Sequence, residues 1–279
     1  MKTFRQMLDF GTSFLLEKNI KESGANSREL LMYLCNLSYS DFILSLDKEV
    51  NEKTFEMYKT LLKKRAENTP IQYITGKQCF YGLDFYVDEN VLIPRLDTEV
   101  LVENIINREI NKDISILDMC TGSGCIAISL KKFGDFKEVL AVDISQKALE
   151  IAKKNAVENE VNIEFLKSNM FSSLDKCKKF DVIVSNPPYI SKKELESLER
   201  QVKDFEPKLA LLAAQNGFEF YKIIAETGKR FLKENGRIYL EIGCNQAQEV
   251  SKILNEQGFK EIEVIKDLAK LDRVIISRL

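Results

Sequence analysis

The sequence predicts an α/β protein: a seven-stranded, mostly parallel sheet flanked by helices, preceded by a small all-α domain. Three observations predict it. From Ile114 onward, short aliphatic runs alternate with amphipathic segments of helical period, the mark of a parallel sheet. The last two runs, Ile262–Ile265 and Val274–Ile276, leave no room for a helix between them and should lie antiparallel. Residues 1 to about 70 carry apolar side chains at helical spacing.

The helical part comes first. Phe4, Met7, Leu8, Phe14, Leu15 and Leu16 fit one helix, with Gly11 a weak point. Gly24–Ser27 reads as a turn whose Asn26 or Ser27 caps the next helix, which turns Leu30, Leu31 and Leu34 inward. Ser40 can cap a short helix holding Phe42, Ile43 and Leu46. Asn51 opens a longer one with Phe55, Tyr58, Leu61 and Leu62 inward, and Lys63, Lys64 and Arg65 near its C-terminus, where the dipole favours cations. Beyond Pro70, Ile71–Ile74, Phe80–Tyr81 and Phe85–Val87 read as short strands of a hairpin joining two domains. Asp97 or Thr98 can then cap a helix running through Ile106. In the sheet region the strands are Ser115–Leu117, Val139–Val142, Ile163–Leu166, Val182–Val184, Arg237–Ile242 and the closing pair. The helices between them are Cys125–Lys132, one capped by Ser145, Glu194–Val202, Phe218–Leu232 and Gln246–Gln257. The domain expectation is 1–70 helical and partner-docking, 71–95 a β-hairpin linker, and 96–279 the α/β domain.

Composition narrows the function. The 279 residues are 44% apolar, enough for a sizeable core, and 41 basic against 43 acidic residues leave a net charge of −2. No polyelectrolyte signal points to nucleic acid. No apolar run approaches the roughly 18 residues of a membrane helix, and Arg5, Gln6, Asp9 and Glu17 interrupt the N-terminal apolar residues, unlike a signal peptide. The six cysteines, at 35, 79, 120, 125, 177 and 244, form no CxxC pair, and with no histidine in the chain they complete no zinc set. Free thiols in a reducing cytoplasm are expected. The lack of histidine removes every mechanism that needs an imidazole.

Two turns carry chemistry. Asp118-Met-Cys-Thr-Gly-Ser-Gly-Cys125 follows the first strand of the sheet, and its glycines permit a tight turn and close approach to a ligand at a helix N-terminus. It is neither a full GxGxxG nor a P-loop, and a plain connector would look similar. Asp143 ends the next strand, roughly 20 residues on, where an acid can accept hydrogen bonds from a ribose diol; an Asp capping the following helix is the bland alternative. Together they favour an adenosine-type ligand. Phe180–Ile190, FDVIVSNPPYI, is a buried strand stopped by two prolines, which leaves Asn186 and Tyr189 at its carboxyl end. A carboxamide and a ring beside a rigid turn suit a small planar group, although a proline-terminated strand with a turn-forming Asn would read the same way.

Strand, glycine turn, acid and NPPY together resemble a class I S-adenosylmethionine-dependent methyltransferase, with its Rossmann-like seven-stranded sheet. IQYITG, FYGLDFYV, VLIPRLDTEVLVE, LDMCTGSGCIAISL, SNPPYI, FEPKLAL, YLEIG and DLAKLDRVI stand in the order and spacing of the HemK/PrmC family, the peptide-chain release factor glutamine N5-methyltransferases. The resemblance covers nearly the whole chain. It implies methyl transfer to the amide of a glutamine in a Gly-Gly-Gln loop of a release factor, with no direct nucleic-acid binding, no membrane, and a monomer in the cytoplasm. By carry-over, Asn186 and Pro187 accept the two amide hydrogens, Tyr189 stacks on the amide, and Pro188 completes the substrate grip. Cys120, Thr121, Gly122, Ser123 and Gly124 line the methionine part of the cofactor, Asp143 takes its ribose, Met170 packs near its adenine, and Asn186 also borders it. Arg95 borders the site without an assigned role. Departures are Leu96 for the family's usual Pro, Cys120 for Gly, Asn169 for Asp, Ala213-Ala214 for Gly-Gly and Lys270 for Gly. With no histidine or nearby lysine to activate it, Cys120 reads as packing rather than as a nucleophile. The alternatives are a glutamine methyltransferase acting on a ribosomal protein, an adenine-N6 methyltransferase on DNA or RNA, and a non-catalytic binding module. IPRLDTE disfavours the first, near-neutral charge the second, and an intact NPPY the third.

Overall fold

A computed structural model describes residues 2–279. The chain forms two compact units: residues up to Gly76 together with Glu199–Phe205, and Lys77–Leu198 together with Glu206–Leu279.

In the first unit, helices Phe4–Glu17, Ser23–Cys35, Tyr39–Leu44, Glu52–Ala66 and Ile71–Thr75 pack around Met7, Leu15, Leu30, Leu31, Phe42, Tyr58 and Leu62. Local chemistry sets several starts. Thr3 and Gln6 form a capping box, and Asn51 Oδ1 accepts from the Thr54 N–H at 2.9 Å. Three expectations change. Gly24–Ser27 lies inside the second helix, and the turn falls earlier, where Asn19 and Glu22 take positive φ. Asn26 and Ser27 are spent on tertiary bonds instead: Asn26 Oδ1 accepts from Arg65 Nε at 2.6 Å, and the Ser27 and Tyr58 hydroxyls pair at 2.6 Å. The cap of the third helix is Ser38, not Ser40. Ile71–Thr75 is a helical turn after Pro70 rather than a strand, because the fixed φ of Pro70 suits a helix start and Gly76 stops it in the left-handed region. Gly11 does not weaken its helix; the Tyr58 hydroxyl packs where a Cβ would stand.

In the second unit, a hairpin of Lys77–Phe80 and Leu83–Tyr86 precedes a seven-stranded sheet. We number its strands β1 (Ser115–Met119), β2 (Glu138–Asp143), β3 (Glu164–Lys167), β4 (Phe180–Ser185), β5 (Leu232–Glu241), β6 (Lys260–Lys266) and β7 (Asp272–Arg278). Their spatial order is β6-β7-β5-β4-β1-β2-β3. β1 to β5 run parallel, and β7 lies antiparallel to both β5 and β6. The antiparallel closing pair is thus as the sequence predicts. Alternate residues feed two cores: Ile183, Leu117 and Leu240 on one face, Val182, Val184, Ile116 and Tyr239 on the other.

Helices Leu96–Arg108, Cys125–Gly134, Gln146–Glu158, Glu219–Gly228 and Ala247–Glu256 flank the sheet. Ser145 caps the third, as its position suggested. Thr98 sits inside the first turn of its helix, with Arg95 at the cap position. The expected Glu194–Val202 helix is two separate turns, Lys192–Leu195 and Arg200–Lys203. β5 starts at Leu232, which shortens the preceding helix at Gly228.

Strand order decides where a ligand can sit. β1 lies between β2 and β4, so the connections leave its two sides in opposite directions, and a crevice opens at the carboxyl ends of β1 and β4. Met119 and Ser185 are partners in register there, and Ser185 Oγ donates to the Met119 carbonyl at 2.6 Å. The glycine turn and NPPY therefore leave the sheet side by side.

Candidate active site

The turn after β1 is held from below. Asp118 is fully buried, and its Oδ2 accepts from Thr121 Oγ1 at 2.6 Å. Burial pushes the Asp118 carboxyl up to about 7, against the hydrogen bonds from Thr121 and the Ala127 backbone. Cys120 takes φ +64°, in the left-handed region that favours Gly, and its Sγ lies 3.9 Å from Met170 Sδ. Burial also raises the Cys120 thiol, which leaves little thiolate to act as a nucleophile. Gly122 donates its N–H to Asp143 Oδ2 at 2.9 Å, and Ser145 donates to Oδ1 at 2.8 Å. These bonds offset the burial that raises the Asp143 carboxyl.

After β4, Asn186 directs Nδ2 to Thr98 Oγ1 at 3.2 Å. Its Oδ1 is thereby the free end of the carboxamide. The Tyr189 carbonyl accepts from Gln246 Nε2 at 3.1 Å, and Gln246 Oε1 accepts from Gly243 N–H and the Tyr221 hydroxyl. Ile190 forms a parallel bridge with Leu212, which ties the tail of NPPY to the segment after FEPKLAL.

A cavity of about 390 Å³ opens over these strand ends. Asn186, Pro188, Cys120, Gly122, Asp143 and Met170 all line it. Thr121, Ser123, Gly124, Pro187 and Tyr189 do not; the first four are buried and Tyr189 is half-buried. The sequence reading missed two lips, Glu89–Leu92 and the segment carrying Pro207, Leu209 and Ala210. Buried Glu206 joins them, accepting from the Ile93 N–H at 3.3 Å and pairing with the Arg95 guanidinium. That gives Arg95 a place: it fastens one lip to the other. The signal was a charge in each of two motifs far apart in sequence, which only folding could pair. Among the described residues no cluster of Cys, Asp or Glu could hold a metal.

Residues 6–76 match the family model described as PrmC N-terminal domain, and residues 95–205 the one described as methyltransferase small domain. The chain is 40% identical over 271 residues to the release factor glutamine methyltransferase of Clostridium acetobutylicum, covering 95% of this chain and 94% of that one. It is 43% identical over 240 residues to the protein of the same name from Flavobacterium psychrophilum, covering 84% of each. A crystal structure of a methyltransferase from Pyrococcus furiosus shares the fold, with a TM-score of 0.56 at 18% identity over 80% of this chain and 97% of that one.

Proposed function

We infer the chemistry of this site from one premise, that the chain belongs to the release factor glutamine methyltransferase family. It methylates the side-chain amide nitrogen of a release factor glutamine, and we assign that glutamine to a Gly-Gly-Gln loop. The observation that carries the reading is a single cavity that joins Asn186 and Pro188 to Gly122 and Asp143.

The residues present fit S-adenosylmethionine. Gly122 lines the cavity with φ +55°, and a Cβ built on it would meet nothing within 4 Å, so the backbone is open to a ligand there. Each Asp143 oxygen accepts one backbone N–H and keeps a lone pair for a ribose hydroxyl. Met170, Ile144 and Ile223 supply apolar wall beside it. When bound, the cofactor supplies a methyl group made electrophilic by its sulfonium.

The protein's task is to make a poor nucleophile adequate. An amide nitrogen has its lone pair delocalised into the carbonyl. Asn186 Oδ1 accepts one N–H of the substrate amide and the Pro187 carbonyl the other, which orients the nitrogen and favours the charge that builds on it. We assign the stacking on the flat group to the Tyr189 ring, which, like Pro187, does not itself line the cavity. The N-methylated cation sheds its proton without a strong base, in keeping with a chain that has no histidine. No helix among the described residues is long and apolar enough to cross a membrane. We place the reaction in the cytoplasm, where a release factor is met, with the helical unit as its docking module.

The test uses labelled methyl donor with purified release factor, its Gln→Ala loop variant, ribosomal protein and duplex DNA. Label should appear on the release factor alone and vanish with the glutamine. Label that persists on the Gln→Ala variant, or appears only on DNA, refutes the reading.

A further inference from the structure

Asn155 lies on Gln146–Glu158, the helix that Ser145 caps, and nothing in the chemistry above uses it. It is fully buried and does not line the cavity. Its carboxamide is nonetheless engaged at both ends. Oδ1 accepts from the Tyr86 N–H at 2.7 Å, and Nδ2 donates to the Tyr86 carbonyl at 3.1 Å and to the Ser123 carbonyl at 2.9 Å. Those two residues lead into different walls of the cavity. Ser123 sits in the glycine turn, next to Gly122, which lines the cavity. Tyr86 ends the second hairpin strand, and the chain runs from it through buried Val87 into the Glu89–Leu92 lip. The lip is stiffened from within: Asp88 Oδ1 accepts from the backbone N–H of Asn90 at 2.9 Å and from its Nδ2 at 2.8 Å.

We propose that Asn155 is a positioning residue for the cofactor: by bonding the Ser123 carbonyl and the Tyr86 peptide groups with one amide, it sets the spacing between the glycine turn and the Glu89–Leu92 lip. A carboxamide suits this task. It is planar, and it can meet the N–H and the C=O of one residue as the next strand of a sheet would, with one hydrogen left for a second carbonyl. A carboxylate of the same shape has no donor and would set an oxygen against two carbonyls. An aliphatic side chain would serve none of the three groups. The same helix holds the turn at two further places. Ala152, one turn earlier, packs against Gly124, where a Cβ would come within 3.0 Å of its own Cβ. Asp143, just before the helix, accepts from the Gly122 N–H at 2.9 Å. The turn is thus in register with this helix at Gly122, Ser123 and Gly124, and Asn155 carries that register across to the lip. Asn159, one turn later, makes a useful contrast. Its Nδ2 donates to the Asp84 carbonyl at 3.0 Å and to the Asn155 carbonyl at 2.9 Å, so its side chain bonds the hairpin and not the turn.

This inference rests on the methyltransferase reading of the cavity, and the measurements keep the two separable. Wild type, Asn155→Ala, Asn155→Ser and Asn159→Ala are compared by titration calorimetry with S-adenosylhomocysteine, and by kcat and KM for S-adenosylmethionine on purified release factor. Asn155→Ala should weaken S-adenosylhomocysteine binding about tenfold or more, the scale of one or two lost hydrogen bonds. KM for the methyl donor should rise by a similar factor while kcat at saturation changes little, because the NPPY side of the cavity is untouched. Asn155→Ser, the milder change, should fall between wild type and Asn155→Ala, and carries the test if the alanine variant does not fold. Asn159→Ala should lower the urea midpoint yet keep the wild-type affinity and KM. Wild-type affinity in the Asn155 variants, or an equal loss in Asn159→Ala, overturns the inference. A further measurement needs only the wild type. In protein labelled with 15N-asparagine, the Asn155 side-chain NH2 signal should shift when S-adenosylhomocysteine saturates the site, although that group lies outside the cavity; a signal that does not move overturns the inference. A wild type that binds no S-adenosylhomocysteine defeats the functional reading instead.

Discussion

Gly217 offers a stringent test of how the NPPY tail is held. It is buried at φ +92°, and an ideal Cβ would lie 2.3 Å from the Tyr189 carbonyl oxygen and 2.8 Å from Gln246 Nε2. Gly217→Ala therefore has two costs. The left-handed conformation alone costs an L-residue about 1 to 2 kcal/mol. The clash is with backbone, not with a flexible side-chain end, so the Tyr189 carbonyl must retreat and lose its 3.1 Å bond from Gln246. That adds about 1 kcal/mol, plus whatever strain the retreat leaves. We expect a loss of about 2 to 4 kcal/mol in urea unfolding. Turnover should fall further than stability implies, because Asn186 stands three residues upstream and a shift of about 1 Å at a reacting group can cost roughly 100-fold. Cofactor affinity, measured by calorimetry, should change by less than about threefold, since Asp143 and Gly122 stand on the β1–β2 side of the crevice. A variant within about 1 kcal/mol of wild type and with unchanged kcat would show that the tail is not held by Gly217 and Gln246.

Other expectations follow from single contacts. Asn186→Ala should abolish most turnover while moving cofactor affinity by no more than about 1 to 2 kcal/mol, one hydrogen bond's worth; lost cofactor binding in calorimetry would contradict the role given to it. Asp143→Asn places an amide NH2 against the backbone N–H of Gly122 or Ser145, and should weaken cofactor binding about tenfold or more, with titration calorimetry the check. Gly11→Ala drives a methyl to within 1.9 Å of the Tyr58 hydroxyl; overpacking of this kind costs about 1 to 3 kcal/mol, readable as a lower urea midpoint. Glu241 is protonated more readily in the folded chain, at about 7 against 4.5 when unfolded, so its share of stability is full below 4.5 and drains away as pH rises to about 7. Glu241→Gln lacks that loss and should gain on wild type across the window, by on the order of 3 kcal/mol at most; parallel stability–pH curves for the two would contradict this.

What could be read from the sequence divides along a physical line. Strands β1, β2 and β4 are buried on both faces, so their aliphatic runs declare themselves, and the Ser145 and Asn51 caps lie beside the helices they start. The glycine turn and NPPY were legible because each packs its chemistry into consecutive residues. The misreadings occur where a local signal was used at long range. Asn26 and Ser27 have the chemistry of turn residues, yet the fold commits one to Arg65 and the other to Tyr58, and the helix runs through both. Thr98 followed the same rule: a plausible cap by position, it holds Asn186 instead.

Glu241 was beyond reach for a further reason. Its neighbours are set by strand register, Leu240 against Ser185 on one side and Glu241 against Val274 on the other. A shift of one residue would turn the carboxylate to the opposite face of the sheet. Sequence spacing carries the side-chain alternation of β5, but not which residue of β4 it meets. A buried acid with one unpartnered oxygen is costly to keep, and a glutamine of the same shape would relieve the charge.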